Sequence, residues 1–266
     1  MPIQLIIRNP LDRDAREYIQ RAGVSDAGGR SQINEFVRGI KSLGLWNSLV
    51  CWPLRSTQNA GTGTTAYSLG GLGTYNGTLV NGPTWGSDGI TGNGTTQTIT
   101  TAYTPPLLSA SDVSCCAALT LAGKNNSSVI AGNRTIGFSF AGFWGVNLTA
   151  ALAWAATGSS SQSSASTSAV LGTPFFYHGL VGTRSGATQL HTEVGINTNN
   201  RVTATTAGTA SGSTKVVTLL EDGNGTNRLE GTAAWIALFN GTVTKAQSDN
   251  IFSLYKSTLG SGLGLP

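Results

Sequence analysis

Apolar residues recur at two different spacings along this chain, and the change between them falls near Trp46. After Asn9-Pro10, the residues Leu11, Ala15, Tyr18, Ile19 and Ala22 lie on one helical stripe that stops at Gly23. Ile33, Phe36, Val37, Ile40 and Leu43 predict a second amphipathic helix, beginning near Ser31 and ending at Gly44. Helices this short are not stable alone, so their apolar faces require cover from the rest of the chain, a neighbouring subunit, or both. Ahead of them, Pro2 to Ile7 is extended in character, with Ile3, Leu5 and Ile7 able to add a strand to a neighbour's sheet.

Beyond Trp46 the pattern becomes one of short strands. Leu45 to Leu54 reads as the first buried strand, and Ser56 to Thr65 as a polar loop. Tyr67 to Ile90 follows, with Asn76-Gly77, Asn81-Gly82-Pro83 and Asp88-Gly89 as turn signals between apolar and aromatic positions, and it reads as the first sheet of a sandwich. Asp112 to Leu121 is an apolar run of the kind buried on both faces, Pro174 to Gly182 is again a buried-type strand, and Gly231 to Phe239 is the last long strand. Thr188 to Ile196 alternates, and Gly158 to Ser168 is a Ser-rich tract that reads as a loop or hairpin tip. Thr244 with Gln247 has capping-box spacing and opens a last helix, with Ile251, Leu254 and Tyr255 on its apolar face. Many strands with helices only at the two ends predict an all-β sandwich or jelly roll, with an N-terminal unit at 1–45, the sandwich at 46–260 and a flexible tail at 261–266.

Charge supports the same boundary. Only 11% of the 266 residues are charged, well under the roughly 25% of an average domain. Residues 1–55 hold eight Lys/Arg and five Asp/Glu, and the remaining 211 hold eight and seven. The net charge of +4 is scattered without a basic run, which argues against nucleic acid as a partner. No run of about 18 apolar residues predicts a membrane span. The N-terminus lacks the basic region and cleavage site of a signal peptide, so synthesis in a reducing cytoplasm is expected. Cys51, Cys115 and Cys116 form neither a disulfide framework nor a metal spacing, and no cofactor is expected.

Candidate chemistry is sparse. Glycoside hydrolysis requires two carboxylates about 5–9.5 Å apart, and no E-x-D-x-x-E string supplies them. Glu221-Asp222 is the only adjacent acidic pair of the β region; it falls in a turn-like sequence that reads as a solvated hairpin tip, with Asp222 and Asn224 a remote Ca²⁺ option. His178 sits in an apolar strand and reads as a core residue. His191 and Glu193 share a strand face and read as a surface pair. No nucleophile motif is present, so the chain reads as a non-enzyme. Trp144 and Trp154, with Asn147, are candidates for stacking and hydrogen-bonding a glycan, against the usual core role of tryptophan in a sandwich.

The progression NGTLVNGPTWGSDGI, ASDVSCCAALTLAG, PFFYHGLVGTRSGATQLHTEVGI and AAWIALFNGTVTKAQSDNIFSLYKS resembles the concanavalin A-like, laminin-G-like jelly rolls over about residues 46–258. Ala15 to Trp46 resembles the helical lead-in of tailed-bacteriophage structural proteins that carry such a domain. The resemblance implies a virion surface protein, capsid decoration or head-fibre first, with tail-fibre or receptor-binding adhesion to host glycans as the alternative. It implies attachment to a major capsid or tail protein and homo-oligomerisation, trimeric by analogy. Ile3, Leu5, Ile7, Tyr18, Ile19, Phe36, Val37 and Ile40 would be the attachment surface.

Overall fold

The computed structural model of the chain describes residues 10–106, 112–123, 128–133, 143–147, 152–157, 161–166, 171–184, 189–207, 215–223, 225 and 227–266. It begins with helices α1 (Arg13–Ala22) and α2 (Ala27–Ser42) and a 3-10 turn at Trp46–Ser48. The strands are β1 (Leu49–Pro53), β2 (Thr65–Ala66), β3 (Gly77–Val80), β4 (Thr84–Gly86), β5 (Gly89–Asn93), β6 (Thr98–Thr101), β7 (Val113–Leu121) and β8 (Ser128–Gly132). They continue with β9 (Phe143–Asn147), β10 (Leu152–Thr157), β11 (Ser161–Ser166), β12 (Phe175–Arg184), β13 (Gln189–Ile196), β14 (Val202–Ala207), β15 (Thr218–Leu219) and β16 (Glu230–Asn240). Helix α3 (Lys245–Ser257) comes last. No helix among the described residues is long and apolar enough to cross a membrane.

The strands form two antiparallel sheets. One runs β14-β13-β12-β7-β16-β5-β4, with β1 also paired to β16, and the other runs β11-β10-β9-β8-β15-β6-β3-β2. The chain is therefore an all-β sandwich with few helices. Val50, Trp52, Cys115, Tyr177, Ile236 and Leu238 of the first sheet meet Leu79, Ile99, Ile130, Trp144 and Leu219 of the second in the core between them. β16 is the axis of the first sheet, since β7 lies along one side while β1 and β5 share the other. A register shift between Ala233 and Trp235 changes its phase. Ala233 faces the inter-sheet core, whereas Trp235 faces the opposite side, which simple alternation along GTAAWIALF does not give.

That opposite side carries a second core. Leu49, Cys51, Cys116, Ala118, Phe176, Trp235, Ala237 and Phe239 of the sheet pack against α1, α2 and α3. Phe36 meets Trp235 edge-on at 5.7 Å, and Tyr255 stacks on Trp235 at 4.9 Å. The apolar faces of the N-terminal helices are thus covered by the rest of the chain, one of the sources of cover that their length calls for. Tyr18, Ile19, Phe36, Val37 and Ile40 are buried against this chain's own sheet, with Phe36, Val37 and Ile40 at 0% exposure, so none is free to form an attachment surface. Their stripe is covered intramolecularly because β16 and β7 present an apolar outer face of matching chemistry. Ile3, Leu5 and Ile7 lie outside the described residues.

The tail is corrected likewise. Leu259 and Leu265 are buried, and Arg55 donates to the carbonyls of Leu259 and Ser261 at 3.0 and 2.8 Å, pinning the last turn to the sandwich. Tyr67–Ile90 contributes to both sheets: β3 belongs to the second, and the β4–β5 hairpin to the first. Asn81, at φ 58°, makes the turn between them. The tract is a crossing point between layers. The Ser-rich tract supplies β11, paired with β10 from Leu152↔Ser166 to Thr157↔Ser161. The capping box at Thr244 and Gln247 forms as the spacing predicts.

Candidate functional site: a polar pocket beside Trp46

A cavity of about 350 Å³ opens between α1 and the glycine-rich loop Leu69–Thr74, floored by the 3-10 turn. One wall is a single face of α1. Arg13, Asp14, Glu17, Tyr18 and Arg21 project from successive turns of a helix whose position is set by Asp12. The Asp12 side chain caps the helix by accepting from the Asp14 amide at 2.9 Å, and its own amide donates to Asn34 of α2 at 2.7 Å. Lys41 of α2 reaches Asp12 at 2.6 Å and Asp14 at 2.7 Å. Burial opposes the charge on Lys41, but the hydrogen bonds and charges of Asp12 and Asp14 outweigh it and raise the ammonium pKa. The same contacts overcome burial at Asp12 and lower its pKa.

The facing wall depends on close backbone approach. A Cβ at Gly70, where φ is 145°, would lie 2.1 Å from the Leu49 carbonyl oxygen. One at Gly71 would lie 2.6 Å from the Trp46 carbonyl oxygen and 2.8 Å from its indole Cδ1. The loop can therefore lie flat on the 3-10 turn, where the Gly71 amide donates to the Trp46 carbonyl at 3.0 Å and the Leu72 amide to the Leu49 carbonyl at 3.1 Å. Trp46 is half-buried, with Gly71 at the edge of its indole and the Lys41 ammonium 5.2 Å from the ring centroid, and it lines the pocket with Asn47. Arg21 closes the far end, donating to Thr74 Oγ1 at 3.0 Å and to the Ser68 carbonyl at 2.5 Å.

A second polar cluster lies on the outer face of the first sheet. Arg201, its side chain 4% exposed, donates from Nε to His178 Nδ1 at 3.0 Å, and from Nη1 to Glu193 at 3.0 Å and the Val243 carbonyl at 2.6 Å. His191 Nε2 meets the other Glu193 oxygen at 3.0 Å. The His191–Glu193 pair thus forms, half-buried, and a third member that the sequence pattern does not reveal ties it to the entry of α3. Burial first, then the charges of Arg201 and Lys245, lower the pKa of His178 to about 3. The ring is neutral, and its Nδ1 is occupied as an acceptor, so this cluster fastens helix to sheet. Glu193 is also lowered: burial raises it, but His191 and Arg201 outweigh that.

The remaining sequence candidates fall elsewhere. Glu221 and Asp222 are 8% and 0% exposed, which corrects the solvated hairpin tip. Glu221 accepts from Arg228 Nε at 3.0 Å and from the Gly225 amide at 2.9 Å, and Asp222 accepts from Asn227 at 3.0 Å. Among the described residues no group of three or more His, Cys, Asp or Glu is placed to hold a metal, and Asn224 lies outside them. Trp144, at 1% exposure, is in the inter-sheet core and offers no face to a sugar, a correction that follows from the closing of the two sheets over it. Asn147 and Trp154 belong to β9 and β10, and their side chains are outside the described residues. Cys51, Cys115 and Cys116 are free and buried; burial pushes the Cys51 and Cys116 thiols up to about 12. The pocket itself was hidden in the sequence, and its one local signal is the LGGLGT run at Leu69–Thr74.

No family model matches the sequence, and no curated protein matches it. Among solved structures the chain is similar to Trypanosoma rangeli sialidase, with a TM-score of 0.56 and 13% identity over 88% of this chain and 40% of that one. It is similar also to that sialidase in complex with 2,3-difluorosialic acid as a covalent intermediate, with a TM-score of 0.59 and 10% identity over 87% and 39%. The chain spans about two-fifths of the length of these sialidase chains. At such identities the likeness is one of fold.

Proposed function

We propose that this chain is a non-catalytic glycan-binding β-sandwich whose site is the pocket beside Trp46. The observation that carries this reading is the makeup of the pocket. A half-buried tryptophan lines a cavity whose other walls carry donors and acceptors, the combination that a sugar ring requires with its apolar C–H face and polar rim. Trp46 stacks the ring; Asn47, Thr74 and Asp14 hydrogen-bond its hydroxyls. A non-catalytic role is favoured because Glu193 and Glu221 are each held by an arginine and Asp222 by Asn227. The fold neighbours belong to a sugar-processing enzyme, which agrees with the reading without carrying it. The test is a glycan array followed by calorimetry with the full chain. Binding is expected, and Trp46→Ala is expected to weaken it at least tenfold while the chain still unfolds cooperatively, at a midpoint lowered by the lost packing on the second core; a Trp46→Ala variant with unaffected binding refutes the site.

A second element concerns setting. The likeness of Ala15–Trp46 to phage lead-in segments supports display on a virion, as capsid decoration or as a tail-fibre module. Because those helices are part of the packed fold, attachment in this setting falls to other surfaces of the chain. Detection of the protein in purified particles by mass spectrometry tests it, and its absence from them excludes it.

A further inference from the structure

Opposite charges around the pocket are equal in number, Arg13, Arg21 and Lys41 against Asp12, Asp14 and Glu17, but Arg21 stands apart from the ion pairs. Asp14 is paired with Lys41 at 2.7 Å, and Glu17 faces Arg13 at 3.8 Å. Arg21 has no carboxylate within ion-pair distance among the described residues. Its partners are the neutral Thr74 hydroxyl and Ser68 carbonyl, together with the Tyr18 ring, whose centroid lies 5.8 Å from the guanidinium carbon. These contacts fix the guanidinium without neutralising it. Beside it, Gly73 and Thr74 line the same pocket. A guanidinium fixed in the pocket wall outside any ion pair is suited to an anion, and the planar fork of arginine suits a carboxylate.

We infer that the pocket selects a carboxylate-bearing sugar, with Arg21 meeting the carboxylate while Trp46 stacks the ring. This rests on the glycan-binding reading of the same pocket and adds the ligand class. Neutral sugars satisfy the indole and the hydroxyl partners but leave Arg21 uncompensated. Two sources of the chemistry are available, uronic acids and sialic acids, and they differ in where the carboxylate stands on the ring.

The experiment is calorimetry of the full chain with a glucuronate-containing disaccharide and its neutral glucose counterpart, and with sialyllactose against lactose. Each pair is measured at low and at about 0.3 M salt. At least one acidic ligand is expected to bind about tenfold or more tighter than its neutral partner, with the preference reduced at high salt. Arg21→Gln, which retains an amide donor toward Thr74, is expected to remove that preference, and Arg21→Lys to keep part of it. Equal binding of acidic and neutral ligands, or a preference unmoved by Arg21→Gln in a variant with unchanged thermal unfolding, overturns the acidic-sugar inference and leaves the glycan reading intact. Failure of every glycan to bind overturns both.

Discussion

Substituting His178 by asparagine gives a direct measure of the clamp between sheet and α3. His178 is 0% exposed, and its Nδ1 accepts from Arg201. A Cβ at Gly195 would collide with the ring, so the pocket around the imidazole is closed on that side. The charged groups around it are Arg201 and Lys245, both cationic, with Glu193 bound to Arg201 on the far side. Protonating the ring would place a third cation among them and turn Nδ1 from acceptor to donor against the Arg201 N–H. With a folded-state pKa of about 3 against 6.5, the unfolded chain binds a proton that the folded chain refuses across this window. The stability from keeping the ring neutral is therefore fully present above pH 6.5 and lost as pH falls toward 3. Integrated from pH 7 to pH 4, this amounts to about 3 kcal/mol. Asparagine supplies an acceptor to Arg201 and does not titrate. Urea unfolding of both proteins at pH 7 and pH 4 should show a loss in the wild type exceeding that of His178→Asn by this order. Glu193, also lowered, contributes acid sensitivity of the same sign to both proteins, so the difference between them isolates His178. Equal acid losses would refute the neutral, clamped histidine.

Further outcomes follow from the same packing. Arg201→Met leaves Glu193, His178 Nδ1 and the Val243 carbonyl without their buried partner and should cost about 3–5 kcal/mol in urea unfolding, with faster hydrogen exchange in the first turn of α3; a loss under about 0.5 kcal/mol contradicts the clamp. Phe36→Ala empties the space against Trp235 and should cost about 3–5 kcal/mol in the same assay, whereas a detachable arm would leave sandwich unfolding unchanged. Gly71→Ala places a methyl group 2.6 Å from the Trp46 carbonyl oxygen and 2.8 Å from its indole Cδ1, so the loop must shift, and it should weaken ligand binding and lower the unfolding midpoint; unaltered affinity would show that the loop does not hold the indole.

The sheets were legible in the sequence where burial imposes a pattern and hidden where it does not. β7, β12 and β16 are buried on both faces and read as apolar runs. β11 is a polar edge strand with no apolar member except Ala165, so nothing in its composition separates it from a loop. Gly28 and Gly29 masked the true start of α2. Asp26 caps the helix by accepting from the Gly29 amide at 2.6 Å, and any side chain at Gly29 would strike the Thr57 carbonyl, so glycine is needed there although it disfavours helix. The apolar stripes of α1 and α2 are explicit in their spacing, but a stripe shows that cover is needed and not what supplies it. The pocket was not legible for a related reason: Arg21 meets Thr74 and Ser68 across 53 and 47 residues, and Lys41 meets Asp12 across 29. Only the fold brings these groups together.

Tryptophan indole resonances test within one spectrum whether the glycan sits at Trp46. The chain has six tryptophans, of which Trp52, Trp144 and Trp235 are fully buried. Assigned indole N–H signals followed during titration with a glycan that binds should show the largest shift at Trp46. A bound glycan that leaves Trp46 unmoved, or that shifts Trp154 most, would contradict the account and move the site to the β9–β10 side of the sandwich.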